Sequence, residues 1–228
     1  MNRIGEAPLG QRLPLKRGMK SVSGLYAITP DCADTAVLCA MVSSALAGGV
    51  RVVQYRNKTA TPALRRAQAV ALLELCRARS ALLIVNDDVA LACAIGADGV
   101  HIGADDPALA EARARVGDEK IIGVSCYDQW NRAVEAAACG ADYVAFGSMY
   151  ASRVKPGAVR APLQLLSDAR TRLGLPVVAI GGINTCNAGA LIDAGADAIA
   201  VISALFDAPD VEAAARNFTR LFSDRPHD

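Results

Sequence analysis

Short apolar runs recur along the whole chain, at Gly24–Thr29, Val50–Tyr55, Leu82–Asn86, Gly99–His101, Ile121–Ser125, Tyr143–Gly147, Val177–Ile180 and Ala198–Ile202. Between them apolar positions fall at helical spacing, as over Thr35–Ala47, Pro62–Arg79, Gln129–Cys139 and Asn184–Ala194. Near-continuous apolar runs are the mark of strands covered on both faces, and their alternation with helices implies a parallel sheet. Eight such repeats predict closure into a single (β/α)8 TIM barrel, an α/β fold. An open doubly wound sheet is the competing arrangement. The first strand-to-helix turn, ITPDCADT, lacks the G-x-G-x-x-G of a dinucleotide-binding sheet.

An internal echo supports the repeat: AGGVRVVQ from Ala47, GADGVHIG from Gly96, GADYVAFG from Gly140 and GADAIAVI from Gly195. Each reads as a helix-ending glycine feeding a buried strand. The spacing, about 45 to 55 residues, matches two βα units of a barrel. No Pro/Gly/Ser-rich linker divides the chain, so residues 21–224 form one domain. Met1–Lys20 is basic without the apolar stretch of a signal peptide, and it reads as a mobile N-terminal extension.

Composition narrows the function. The chain has 228 residues, 53% of them hydrophobic and only 4% aromatic, so an aliphatic core is expected. A formal net charge of +1 argues against a nucleic-acid binder while leaving room for a local basic pocket. No apolar run approaches membrane-spanning length, so no membrane partner is expected. The seven cysteines are scattered and odd in number with no C-x-x-C pair, which suits reduced thiols in a cytoplasmic protein. A homo-oligomer is left open.

Barrel chemistry sits at the C-terminal ends of the strands. After strand seven comes Gly181-Gly182 and after strand eight Ser203, two small-residue openings where backbone N–H groups could approach a phosphate; two tight turns that merely need small residues are the alternative. Strand two ends in Gln54-Tyr55-Arg56-Asn57-Lys58, expected to put two cations and two amides at the mouth, or else a solvated loop. Strand three ends in Asn86-Asp87-Asp88 and strand four is followed by Asp105-Asp106, carboxylates able to share Mg²⁺ with substrate phosphate oxygens. Helix capping by Asp87 or Asp105 is the alternative use. Ser125 ends strand five without a following histidine, so it reads as a hydrogen-bond donor rather than a nucleophile. The long loop from Gly147 to Gly157 carries Ser152 and Lys155 and could close over an anion. His101 and Trp130 read as structural residues. A phosphate cradle facing a Mg²⁺ pair suits the union of a phosphorylated molecule with a diphosphate-activated one, by electrostatic stabilisation of departing pyrophosphate.

The stretches QYRNK, IVNDDVALACAIGADGVHIGADD, IGVS, GADYVAFGSMYASRVK and PVVAIGGIN…GADAIAVISALF occur in the order found in the thiamine-phosphate synthase family, which the chain resembles from Gly24 to Phe206. The resemblance implies a barrel that joins hydroxymethylpyrimidine diphosphate to hydroxyethylthiazole phosphate by a dissociative route, giving thiamine phosphate and pyrophosphate. It implies Mg²⁺ on Asp87 and Asp106, and pyrimidine-diphosphate contacts from Gln54, Arg56, Lys58 and Asn86. Ser125 and Lys155 would make further diphosphate contacts and serve catalysis. Gly182, Ile202 and Ser203 would cradle the thiazole phosphate, with Ser152 on the mobile loop. Val154 stands where that loop commonly has a second threonine, and Asn57 where an acidic residue is usual. The alternatives are a thiazole tautomerase-like enzyme, whose strand five carries a histidine where this chain has Ser125-Cys126-Tyr127, and a non-catalytic phosphate-ligand-binding relative.

Overall fold

The computed structural model describes residues 21–103, 108–151, 157 and 159–223; Met1–Lys20, assigned from sequence to an extension, lies outside them. The elements run β1 (Gly24–Ile28), α1 (Thr35–Ala47), β2 (Val52–Tyr55), α2 (Pro62–Ala78), β3 (Leu82–Asn86), α3 (Val89–Ile95), β4 (Gly99–Ile102) and α4 (Leu109–Val116). They continue with β5 (Ile121–Tyr127), α5 (Trp130–Ala138), β6 (Tyr143–Phe146), α6 (Gln164–Arg172), β7 (Val177–Ile180), α7 (Ala188–Asp193), β8 (Ala198–Val201), α8 (Ser203–Phe206) and α9 (Val211–Ser223). The strands are parallel and close in sequence order, β8 pairing back onto β1 from Gly24↔Ala198 to Ala27↔Val201. This is the expected (β/α)8 barrel.

Two layers of core follow from the two-residue period of the strands. Inward positions, among them Tyr26, Val52, Ile84, Tyr143, Val178 and Ala200, fill the barrel interior. Outward positions, among them Leu25, Val53, Leu83, Val144 and Ile199, pack beneath the helices.

The sequence echo has a physical basis. In each G-A-D the aspartate precedes an even-numbered strand and clasps the strand before it at two points. Asp98 gives its amide to the Leu83 carbonyl at 3.0 Å and accepts the Leu83 amide on Oδ2 at 2.8 Å. Asp142 does the same with Ile122, and Asp197 with Val177. The side chain thus supplies a hydrogen bond that strand pairing leaves open at the lower rim, on buried donors.

The largest shift in an element's start is at α7. The pattern placed a helix from Asn184, yet α7 begins at Ala188. Asn184 Oδ1 accepts the amides of Cys186 and Asn187, and Asn187 Oδ1 accepts the amide of Asn184 at 2.8 Å. Asparagine side chains compete with the helix for these donors and hold a turn instead.

Asp98→Ala should strand the buried Leu83 amide and lower unfolding free energy by about 1–3 kcal/mol, read from urea denaturation midpoints. Unchanged stability would remove the clasp from the account of the repeat.

Candidate active site

A cavity of about 900 Å³ opens at the C-terminal ends of the strands. Gln54, Arg56, Lys58, Asn86, Asp87, Ser125, Gly182, Ile202 and Ser203, the sequence-derived site residues that are described, all line it. Asp106, Ser152 and Lys155, together with Asp105 and Val154, lie outside the described residues.

Strand period decides what reaches the cavity on the β2 side. Gln54, Arg56 and Lys58 face inward, whereas Tyr55 and Asn57 turn toward α2. Asn57 is buried: its Nδ2 donates to the Cys32 carbonyl at 2.7 Å and to Gln68 Oε1 at 3.0 Å, and its Oδ1 accepts the Ala60 amide at 3.1 Å. The expectation of two amides at the mouth therefore fails for Asn57, which instead shapes the β2–α2 loop. Arg56 is fixed by Thr29, whose hydroxyl both accepts the Arg56 amide and donates to its carbonyl, each at 2.8 Å. Asp31 Oδ1 then receives the Arg56 guanidinium at 3.3 Å and the Lys58 amide at 2.7 Å. Thr29 and Asp31 carried no sequence signal beyond their place just after strand one.

The adjoining acidic turn separates its two aspartates by role. Asp88 caps α3, accepting the Leu91 amide at 2.8 Å. Asp87 has its backbone, at φ 62°, anchored by a hydrogen bond from its amide to the His101 carbonyl. Its carboxylate lies 3.8 Å from Lys58 Nζ, a pair exposed enough that it sets position more than stability.

Beneath these groups runs a buried polar chain. Gln54 Nε2 donates to the Tyr26 hydroxyl at 2.9 Å, and Tyr26 and Tyr143 share a hydrogen bond of 2.8 Å. Tyr143 meets His101 Nδ1 at 2.8 Å, and His101 Nε2 meets Ser125 Oγ at 2.8 Å. Register explains the reach: His101 pairs Gly123, which pairs Tyr143, and a Cβ on Gly123 would lie 1.9 Å from Cζ of the Tyr143 ring. The missing side chain lets that ring cross to stack on His101 at 5.5 Å. Burial pushes both phenols well above their ordinary pKa, so they are neutral. His101 is the buried, hydrogen-bonded structural histidine expected, and it also bonds Ser125, a contact with no signal in the sequence. Trp130 packs against the core with the Arg172 guanidinium 4.7 Å above its ring, as a structural residue should.

Arg132 on α5 braces the site from behind, a role the sequence does not reveal. Its Nε donates to the Ser125 carbonyl at 2.6 Å and its Nη2 to the Gly103 carbonyl at 2.8 Å, tying the end of β5 to the start of the β4–α4 loop. The β5–β6 register shift between Ser125 and Tyr127 brings Tyr127 to the cavity wall under the same guanidinium.

The opposite wall is backbone. Gly181 and Gly182 have φ of 103° and 64°, and a Cβ there would lie 2.1 Å from Ser148 Oγ and 2.3 Å from the Ala151 carbonyl respectively. Conformation and close approach both demand glycine. Tyr150 donates its amide to the Gly181 carbonyl, stitching the β6–α6 loop to this turn, and Asn187 Nδ2 donates to the Gly182 carbonyl at 3.1 Å from within the β7–α7 loop. At β8 the Ile202 carbonyl accepts the Leu205 and Phe206 amides, so the earlier amides of Ser203 and Ala204 have no acceptor within the turn. Because α8 spans only four residues, these N–H groups, not a long helix dipole, are what this wall offers an anion.

A family model described as thiamine monophosphate synthase matches residues 25–205. A thiamine-phosphate synthase of Thiobacillus denitrificans is 54% identical over 205 residues, covering 90% of this chain and 97% of its own. One from Chromobacterium violaceum is 55% identical over 204 residues, covering 90% and 98%. Among solved structures, a thiamine phosphate pyrophosphorylase from Pyrococcus furiosus aligns with a TM-score of 0.79 at 35% identity, covering 88% of this chain and 96% of that one.

Asn57→Asp should replace a donor with a carboxylate against the Cys32 carbonyl and Gln68 Oε1, lowering stability by about 1–3 kcal/mol in urea denaturation. A variant as stable as the parent would mean that the loop does not depend on the amide.

Proposed function

The chain belongs to the thiamine monophosphate synthase family and is a transferase acting on small molecules, and we propose from that premise that it joins hydroxymethylpyrimidine diphosphate to hydroxyethylthiazole phosphate. The observation that carries the reading is that one cavity has both a cationic, carboxylate-bearing wall at β2 and β3 and a backbone wall at β7 and β8. Arg56, Lys58 and Asn86 hold the diphosphate and Gln54 the pyrimidine, with Ser125 and Lys155 completing the diphosphate contacts. Gly182, Ile202 and Ser203 cradle the thiazole phosphate, with Ser152 closing over it.

The reaction breaks the bond between the pyrimidine methylene carbon and the diphosphate oxygen, and the electron pair leaves with pyrophosphate. The thiazole nitrogen then gives its lone pair to the cation, so no protein base takes a proton. This agrees with a cavity wall whose phenols are neutral and where Ser125 meets a histidine that also bonds to Tyr143.

Asp87 and Asp106 would hold Mg²⁺. Asp87 presents its carboxylate at the mouth beside Lys58. Carboxylate oxygen is the donor type a hard cation takes alongside water and substrate phosphate. When bound, Mg²⁺ supplies charge neutralisation to the departing pyrophosphate. The tautomerase alternative finds no histidine in β5: Cys126 is turned outward and buried, which pushes its thiol up to about 12. A cytoplasmic setting goes with the reading, supported by seven free cysteines. Among the described residues no helix is long and apolar enough to cross a membrane.

Purified protein should release pyrophosphate only with both substrates and Mg²⁺. Asp87→Ala should cut kcat/KM at least about 100-fold with an unchanged circular dichroism spectrum. No release from the intact protein, or full activity in EDTA or in Asp87→Ala, would contradict this reading.

A further inference from the structure

The buried chain from Gln54 to Ser125 joins side chains of β2, β1, β6, β4 and β5, and each link is a hydrogen bond of 2.8 or 2.9 Å. Each phenol has one proton to give, and the neutral imidazole has one N–H. Direction in such a chain is set at its ends.

Gln54 turns Nε2 toward Tyr26, so the Tyr26 oxygen accepts. Tyr26 is 1% exposed, and a buried hydroxyl proton left without an acceptor is costly. Its proton therefore goes to Tyr143. Tyr143, wholly buried, must in turn give its proton to His101 Nδ1. The imidazole N–H is then on Nε2 and points at Ser125 Oγ.

We infer that Tyr26, Tyr143 and His101 are positioning residues whose one-way chain fixes His101 as the Nε2–H tautomer, so that Ser125 accepts from His101 and turns its own hydroxyl hydrogen into the cavity as a donor. The reverse chain, with Gln54 Oε1 toward Tyr26, would also satisfy every group. It would consume the Ser125 proton on His101 and leave only oxygen lone pairs facing the cavity. A serine that meets a diphosphate oxygen has to donate. The functional consequence thus rests on the synthase reading, whereas the tautomer does not.

The tautomer can be read directly in the intact protein by ¹⁵N NMR of the imidazoles. The chain has two histidines, and the ring that persists in a His227→Gln variant is His101. The expected spectrum has a protonated Nε2 and an unprotonated Nδ1. A protonated Nδ1, alone or together with Nε2, overturns the inference whatever the enzyme activity.

A double-mutant cycle tests action through Ser125. Tyr143→Phe should lower kcat/KM for the pyrimidine diphosphate about fivefold to tenfold in the parent, and less than about twofold in a Ser125→Ala background. An equal loss in both backgrounds would make Tyr143 a packing residue only. If Tyr143→Phe does not fold, His101→Gln takes its place in the cycle, with the same outcomes.

Discussion

A closed eight-stranded barrel has an interior too small to hold unpaired polar groups, and here the interior holds five polar side chains in series. Low dielectric makes each of them expensive alone and well determined together. The chain crosses the barrel interior, where Tyr26 and Tyr143 pack among aliphatic residues such as Val52, Leu82, Ile84 and Ile121. Two features make it possible: Gly123 vacates the space the Tyr143 ring crosses, and the strand period brings Gln54, His101 and Ser125 inward from three strands. The floor of the site is therefore a property of barrel register rather than of any loop.

On that floor the mouth divides into two chemistries. From β2 to β5 it offers charged and polar side chains, each held from behind: Arg56 by Thr29 and Asp31, Asp87 by the His101 carbonyl, Ser125 by Arg132. From β7 to β8 it offers backbone, opened by Gly181, Gly182 and the first amides after Ile202. A diphosphate needs cations and metal-binding carboxylates, and a monophosphate is well served by N–H groups. This asymmetry is what a two-substrate condensation with an anionic leaving group requires.

Much of this was legible in the chain because the responsible signals are local. Apolar runs marked all eight strands, with β3 and β7 matching to the residue. Gly181-Gly182 and Ser203 announced a small-residue opening. Signals that depend on cross-strand register were not legible. Nothing near Tyr26 or Tyr143 indicates that their hydroxyls meet, since 117 residues separate them. Arg132 looks like an ordinary helical surface charge until Gly103 and Ser125 are brought beside it. Proximity to Arg56 and Lys58 points Asn57 to the mouth, and strand alternation turns it away. Apolar spacing alone carries a helix back to Asn184, because asparagine's competition for backbone donors shows only once the turn is formed.

The central claim is that one cavity holds the diphosphate and the phosphate at separate walls. Isothermal titration of the intact protein with thiazole phosphate, in Mg²⁺ with and without saturating pyrophosphate, tests it most directly. The account predicts that both anions bind together, one of each per chain, with thiazole-phosphate affinity weakened by Ser203→Ala and unaffected by Lys58→Ala. Mutually exclusive binding of the two anions would contradict it.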